Sequence, residues 1–297
     1  MLDNIHYYVS DSAKKQTAIN YFKTFFMGRE MAEQPMNPLS NTDFILLRSE
    51  EATITISFPD SASRLKDDIL KSREKLNNDA KILPTYGIRW IAINTKSIKK
   101  TVKKLLKAGY DFALQDFTLP TEPDVNAVAM WDFDNNITVL VERPKMKFKT
   151  PFGIDHIQLL VKNLEDNIKF YQDVLSSEVL EKTGRSAVLK IGNQRIVMSE
   201  PEVLGLVREQ VLENDFKNFI PSIHHLGFLY EDIEPAFYAA QANNYKIISE
   251  PKVVLFNKKP TPYTHCLLMS PDNLQIELQE EEGRFSGRKM YKESKKK

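Results

Sequence analysis

The chain repeats one pattern four times, and this repetition constrains its fold more than any other feature. The third copy is the clearest. "IDHIQLLV", residues 154–161, alternates like a β-strand. "KNLEDNIKFYQDVLSSEVL" follows, with Asn163 placed to cap a helix, Asp166 three residues on, and Ile168, Tyr171 and Leu175 on one helical face. "SAVLKIG" and "QRIVMSEP" then read as short strands. The unit is a strand, a helix, and two or three further strands.

The last quarter follows the same order. "IHHLGFLY" is a strand, and "EDIEPAFYAAQANNY" a helix with Asp232 as its cap and Pro235 tolerated in its first turn. "KIISEPKVVLF", "YTHCLLMS" and "LQIELQE" complete it. In the second quarter "GIRWIAIN" leads into "TKSIKKTVKKLLKAGYDF", where Ile98, Val102, Leu105 and Leu106 make an apolar stripe ended by Gly109. "AVAMWDF" and "ITVLVERP" follow. The turns before the last strands also match, "DFDNNITV" beside "SPDNLQIE". The first quarter is looser: "IHYYV", "SDSAKKQTAINYFKTFFMG", "DFILLRSE" and "ATITISFP". Residues 60–84 read as an extra helix and linker, and the basic, proline-containing "RPKMKFKTPFG", 143–153, as a domain boundary.

Composition narrows the partners. The 41 basic and 40 acidic side chains leave a formal charge of +1, which gives no reason to expect nucleic acid or an anionic membrane surface. No apolar run approaches the roughly 20 residues of a bilayer-spanning helix. "MLDNIHYYVSD" has no basic segment followed by an apolar one, so no secretory signal is expected. The single cysteine, Cys266, cannot form an intramolecular disulfide. These features point to a soluble, cytoplasmic protein.

The stretches "IDHIQLLVKNLEDNIKFYQDVL" and "IHHLGFLYEDI…MSPDNLQIEL" resemble the vicinal oxygen chelate superfamily. That group includes glyoxalase I, the bleomycin-resistance proteins and the two-domain extradiol ring-cleaving dioxygenases. The four-unit length is most similar to the ring-cleaving enzymes and their hydroquinone-cleaving relatives. The resemblance implies an α+β fold of four βαβββ modules, paired into two half-barrel domains, with metal ligands on first and last strands. The expected division is an N-terminal pair over 1–145, a C-terminal pair with the metal site over 152–282, and a Lys-rich tail over 283–297.

Two imidazoles and one carboxylate on one face form the ligand set of non-haem Fe(II) that activates oxygen, with positions left open for substrate. His156 opens the first strand of the third module and His225 that of the fourth, about one repeat length apart. Glu277 lies in the last strand, where Ile276 and Leu278 should face the other way. A buried carboxylate is costly unless paired or bound to a cation. The matching residue in the third module is Val197, so one site is expected. Fe(II) suits it first, with Mn(II) or another divalent ion as alternatives. His6 rivals His156, because in hydroquinone-cleaving relatives the first module pairs with the fourth and supplies a histidine. Aligning Asp11 with Asn163 and Asp232 puts Asn4, not His6, at the matching position. Both histidines stay open.

The chain departs from the ring-cleaving pattern at two positions. The tyrosine used by similar enzymes is replaced by Leu267, and their third-module histidine falls near Arg195 or Ile196. His265, two residues before Leu267, and Tyr263, four before it, should share its face and are the acid/base candidates. The expected function is an Fe(II)-dependent extradiol-type dioxygenase acting on a catechol, a hydroquinone or a 2-oxo acid. A non-catalytic binder of the bleomycin-resistance type and a glyoxalase-type lyase or isomerase are the alternatives. Exposed sheet edges are compatible with a homo-oligomer.

Overall fold

Alternating strands and amphipathic helices recur in one order through all four repeats. The computed structural model describes residues 2–9, 12–26, 29–37, 42–48, 53–59, 84–107, 114–133, 136–144, 152–213, 223–254 and 263–281. Module one is β1 (Leu2–Tyr8), α1 (Lys15–Phe26), β2 (Arg29–Asn37), β3 (Thr42–Arg48) and β4 (Thr53–Pro59). Module two is β5 (Gly87–Thr95), α2 (Ile98–Lys107), β6 (Leu114–Phe117), β7 (Ala127–Trp131) and β8 (Ile137–Glu142). Module three is β9 (Phe152–Leu160), α3 (Leu164–Leu175), β10 (Glu178–Lys182), β11 (Ser186–Ile191) and β12 (Gln194–Ser199). Module four is β13 (Ile223–Tyr230), α4 (Glu234–Ala242), β14 (Ile247–Val254), β15 (Tyr263–Met269) and β16 (Gln275–Glu281). The fold is α+β, with four βαβββ modules. Residues 60–83 of the expected extra helix, 145–151 of the boundary and the tail 283–297 lie outside the described residues. Among the described residues no helix is long and apolar enough to cross a membrane.

Local chemistry explains the helices. Asn163 caps α3 by accepting the Asp166 N–H at 3.2 Å, and Ser176 closes the helix in the left-handed region at φ 51°. Ile168, Tyr171 and Leu175 are buried, and the two aliphatic side chains contribute roughly 1.5–3 kcal/mol each. At α4, Asp232 sits one residue outside the cap and accepts the Glu234 N–H at 2.8 Å. On α2, Leu105 is fully buried but Leu106 is 54% exposed, so the stripe is narrower than its sequence suggests.

The strand order corrects the expected division into an N-terminal and a C-terminal pair of modules, each with its own sheet. One eight-stranded sheet runs β14-β15-β16-β13-β1-β4-β3-β2, and the other β10-β11-β12-β9-β5-β8-β7-β6. Module one therefore shares a sheet with module four, and module two with module three. Connection length gives the reason for the second pairing. From β8 to β9 the chain steps over β5 alone, about 10 Å or two strand spacings, which the segment 143–151 spans easily. The first strands of all four modules read alike, so the repeat pattern itself carries no information about which edges meet.

Modules adjacent in sequence meet through buried turns instead. Asp132, before β8, accepts a hydrogen bond from the Tyr7 hydroxyl of β1 at 2.5 Å. Asp272, before β16, accepts from the Lys162 backbone N–H at 3.0 Å and from the Asn167 side-chain amide of α3 at 2.6 Å. The matching turns seen in the sequence thus both latch onto the preceding module, through non-equivalent residues: Asp132 holds the place of Ser270, each accepting the backbone N–H four residues on. Burial pushes the Asp272 carboxyl up to about 6, against the Lys162 and Asn167 hydrogen bonds; Glu213 raises it further and Lys162 opposes. A folded-state value above the unfolded one means the protonated latch is the stabilising form. Its contribution is complete below about pH 4 and is lost as pH rises through about 6. Asp272→Asn should therefore compare more favourably with the parent at pH 7.5 than at pH 5, by on the order of 1–3 kcal/mol. Urea unfolding at the two pH values checks this, and an unchanged difference would refute it.

Candidate functional site

The sheet of modules one and four has two chemically different faces. Ile5, Ile54, Ile56, Leu226, Phe228, Ile276 and Leu278 are essentially fully buried in the core that includes the helices. The alternate residues on the other face include His6, Tyr8, Thr55, Ser57, His225, Glu277 and His265. Strand pairing brings them together. His6 of β1 stands opposite His225 of β13 in the antiparallel ladder. Glu277 of β16 stands beside Gly227, two residues beyond His225 and so on the same face. Glu277 is also opposite Leu267 of β15, which places His265 diagonally across from it.

His6 Nδ1 lies 3.3 Å from His225 Nε2, and His225 Nε2 lies 3.5 Å from Glu277 Oε2. His265 Nδ1 is 2.7 Å from Glu277 Oε1, and Gln279 Nε2 donates to Glu277 Oε2 at 2.6 Å. His6 Nε2 is 2.6 Å from Ser57 Oγ, and the His6 ring stacks on Tyr8 with centroids 4.7 Å apart. His225, His265 and Glu277 are all buried. Burial pushes the Glu277 carboxyl up, but hydrogen bonds and charge from His225 and His265 outweigh it and hold the group well below the usual carboxylate range. Burial also pushes the Tyr8 hydroxyl up to about 12, so it stays protonated. Tyr263 opens β15 opposite Glu281, and its side chain is not among those the structure describes.

This donor set fits a first-row divalent ion. Bonds of about 2.1 Å place neighbouring ligand atoms roughly 3–3.5 Å apart, and His225 Nε2 stands at such a distance from His6 Nδ1 and from Glu277 Oε2. Two imidazoles with one carboxylate on one face is also the chemistry such an ion needs. As the side chains stand, both Glu277 oxygens are engaged by His265 and Gln279, and among the described residues no three His, Cys, Asp or Glu groups close into a metal cage.

His156 is not part of this cluster. It lies on β9 in the other sheet, opposite Ala92 of β5. There Ala92, His156 and Val197 occupy the places that His6, His225 and Glu277 hold in the first sheet. The β5 and β8 part of the corresponding face is apolar: Trp90, Ala92, Val139 and Val141 pack with Leu119 and Leu204. A register shift leaves Asp155 as the bulged residue of β9. The bulge lets Asp155 bond the His156 ring at 2.8 Å while Arg143 donates to it at 2.9 Å. Arg143 also reaches Glu122 at 2.6 Å, and Arg195 reaches Glu122 at 3.2 Å. Burial pushes the Asp155 carboxyl up, but His156 and Arg143 hold it far below its ordinary range. The second sheet thus carries an ion-pair network where the first carries imidazoles.

Sequence reasoning missed Ser57 and Gln279. Ser57 stands opposite Tyr8 across the parallel β1–β4 pair, and Gln279 two residues beyond Glu277. The alternation of β16 signals Gln279; Ser57 needed the β1–β4 register, which the sequence does not reveal.

Residues 153–277 match the family model described as the Glyoxalase/Bleomycin resistance protein/Dioxygenase superfamily. A search of curated protein sequences finds no match to this chain. Among solved structures, glyoxalase I from Zea mays is similar, with 15% identity and a TM-score of 0.64 over 94% of this chain and 92% of that one. A "putative dioxygenase" from Bacillus subtilis is similar with 12% identity and a TM-score of 0.59, over 95% of this chain and 85% of that one. At these identities the likeness establishes the shared fold.

Proposed function

We propose, from a chain whose residues 153–277 carry the vicinal oxygen chelate signature and whose whole length carries that fold, that it is an Fe(II)-dependent extradiol-type dioxygenase acting on a small aromatic diol or a 2-oxo acid. The observation that carries this reading is the meeting of His6, His225 and Glu277 on one face of one sheet. His6, rather than His156, completes the ligand set. Bound Fe(II) would supply open coordination positions for a chelating substrate and dioxygen, and Mn(II) or another divalent ion is the alternative.

The protein's own residues supply the rest. The carboxylate brings one negative charge to the two neutral imidazoles, so a dication keeps a net positive charge that favours an anionic substrate. Gln279 and His265 hold the Glu277 carboxyl in place. His265, at hydrogen-bond distance from Glu277 and on the same face, serves as the acid/base group that moves a substrate proton. Thr55, which stands beside His6 as Glu277 stands beside Gly227, supplies no carboxylate, which disfavours a glyoxalase-type site with two of them. The near-zero charge and lone cysteine fit a cytoplasmic small-molecule enzyme with no nucleic-acid or membrane partner.

His265→Ala should leave the ion bound and slow turnover by about 10²–10⁴-fold, the usual worth of a general acid/base. Oxygen uptake by Fe(II)-loaded protein on a panel of catechols, hydroquinones and 2-oxo acids tests both the reaction class and this role. Ion-loaded protein that binds an aromatic diol but consumes no oxygen on any panel member would favour the non-catalytic binder. Loss of the ion in His265→Ala would instead make His265 a ligand.

A further inference from the structure

His6 and His225 face each other through different ring atoms. His225 presents Nε2, whereas His6 presents Nδ1, because its Nε2 is held by Ser57 Oγ at 2.6 Å. We infer that Ser57 is a positioning residue that selects the His6 tautomer: its hydroxyl oxygen accepts the Nε2–H, leaving the Nδ1 lone pair directed at the ion site. This rests on the metal-site reading above and deepens it.

The argument is one of proton placement. A neutral imidazole carries one N–H and one lone pair. An ion held between His6 Nδ1 and His225 Nε2 needs a lone pair on both, so the His6 proton must sit on Nε2. Ser57 Oγ, 2.6 Å from Nε2, offers that proton an acceptor and so favours this tautomer, a hydrogen bond being worth about 0.5–1.5 kcal/mol net. Ser57 is almost fully buried, and its hydroxyl is the group that meets Nε2. Tyr8, stacked on the same ring at an interplanar angle of 15°, fixes the plane in which Nδ1 points. The placement follows from the strands: β4 runs parallel to β1, and Ser57 stands level with Tyr8, two residues beyond His6 on the same face.

The test compares Zn(II) binding to the full chain and to Ser57→Ala, Ser57→Thr and His6→Ala by calorimetry, with ¹⁵N-resolved NMR of the histidine rings. The expected result is a 10–100-fold weaker Zn(II) affinity in Ser57→Ala, the usual cost of losing a ligand's hydrogen-bond partner, and recovery in Ser57→Thr, which keeps the hydroxyl. NMR should show the His6 proton on Nε2 in the Zn(II)-bound parent, and a mixed tautomer in metal-free Ser57→Ala. If Ser57→Ala binds Zn(II) as the parent does while His6→Ala loses it, the role of Ser57 falls and the metal site stands. If His6→Ala also binds as the parent does, His6 is not a ligand and both fall. A parent spectrum with His6 protonated on Nδ1 and Zn(II) bound overturns the inference outright.

Discussion

Glu277→Gln should remove divalent-ion binding and oxygen uptake together. The substitution keeps the side chain's size and a carbonyl oxygen, so His265 and His225 retain a polar neighbour and the sheet has no cavity to collapse into. What disappears is the one formal negative charge among the proposed ligands. Two neutral imidazoles then face a dication with nothing to offset the loss of its hydration shell. The affinity loss should exceed the roughly 10–100-fold typical of removing a ligand's outer hydrogen-bond partner. Anaerobic calorimetry with Fe(II) measures it. The protein should stay folded, because buried Glu277 is replaced by a neutral group that needs no compensating charge. A variant that still binds Fe(II) with parental affinity would place the ion elsewhere.

Arg143→Met should have the opposite profile, a large loss of stability with no change at the proposed ion site. Arg143 joins Asp155 and Glu122, and the Asp155 side chain is only 4% exposed. Removing the guanidinium leaves that carboxylate buried with only His156 and the more distant Arg195 to balance it. Breaking a buried ion pair from one side costs about 3–5 kcal/mol, and the partial exposure of Arg143 puts this case at the lower end. The sign of the pH dependence follows from Asp155. Its folded value is depressed by His156 and Arg143 against the effect of burial, so its contribution is present above the unfolded value of about 4 and is lost as pH falls. The gap between parent and variant should therefore be widest near neutral pH and close in acid. Urea unfolding between pH 3 and 7 checks this, and a gap that widens in acid would contradict it.

The contrast between these variants reflects how much of the molecule was legible in its sequence. The modules were legible because each is built from local signals: Asn163 at a cap, Ile168 and Tyr171 on one face, and strict alternation around Glu277. Their pairing was not. Four first strands of similar character offer similar edges, and the choice between them depends on connection lengths and on residues such as Tyr7 and Asp132, which meet only after folding. This ambiguity left His6 and His156 open as rivals. His156 carries the stronger local signal, inside "IDHIQLLV", yet the bulge at Asp155 and the arginines beyond it make it part of an ion-pair network. His6 sits in the looser first repeat, and only the antiparallel register with β13 shows that it faces His225. Ser57 was invisible for the same reason, since its role depends on which strand lies beside β1.

The central claim is that one divalent ion binds each chain, between the first and fourth modules. Its most direct test is anaerobic Fe(II) stoichiometry and affinity for the parent protein beside His6→Ala, His225→Ala and His156→Ala. The account predicts one ion per chain in the parent, loss of binding in His6→Ala and His225→Ala, and unchanged affinity in His156→Ala. Loss of the ion in His156→Ala with retention in His6→Ala, or a parent that binds no divalent ion, would contradict it.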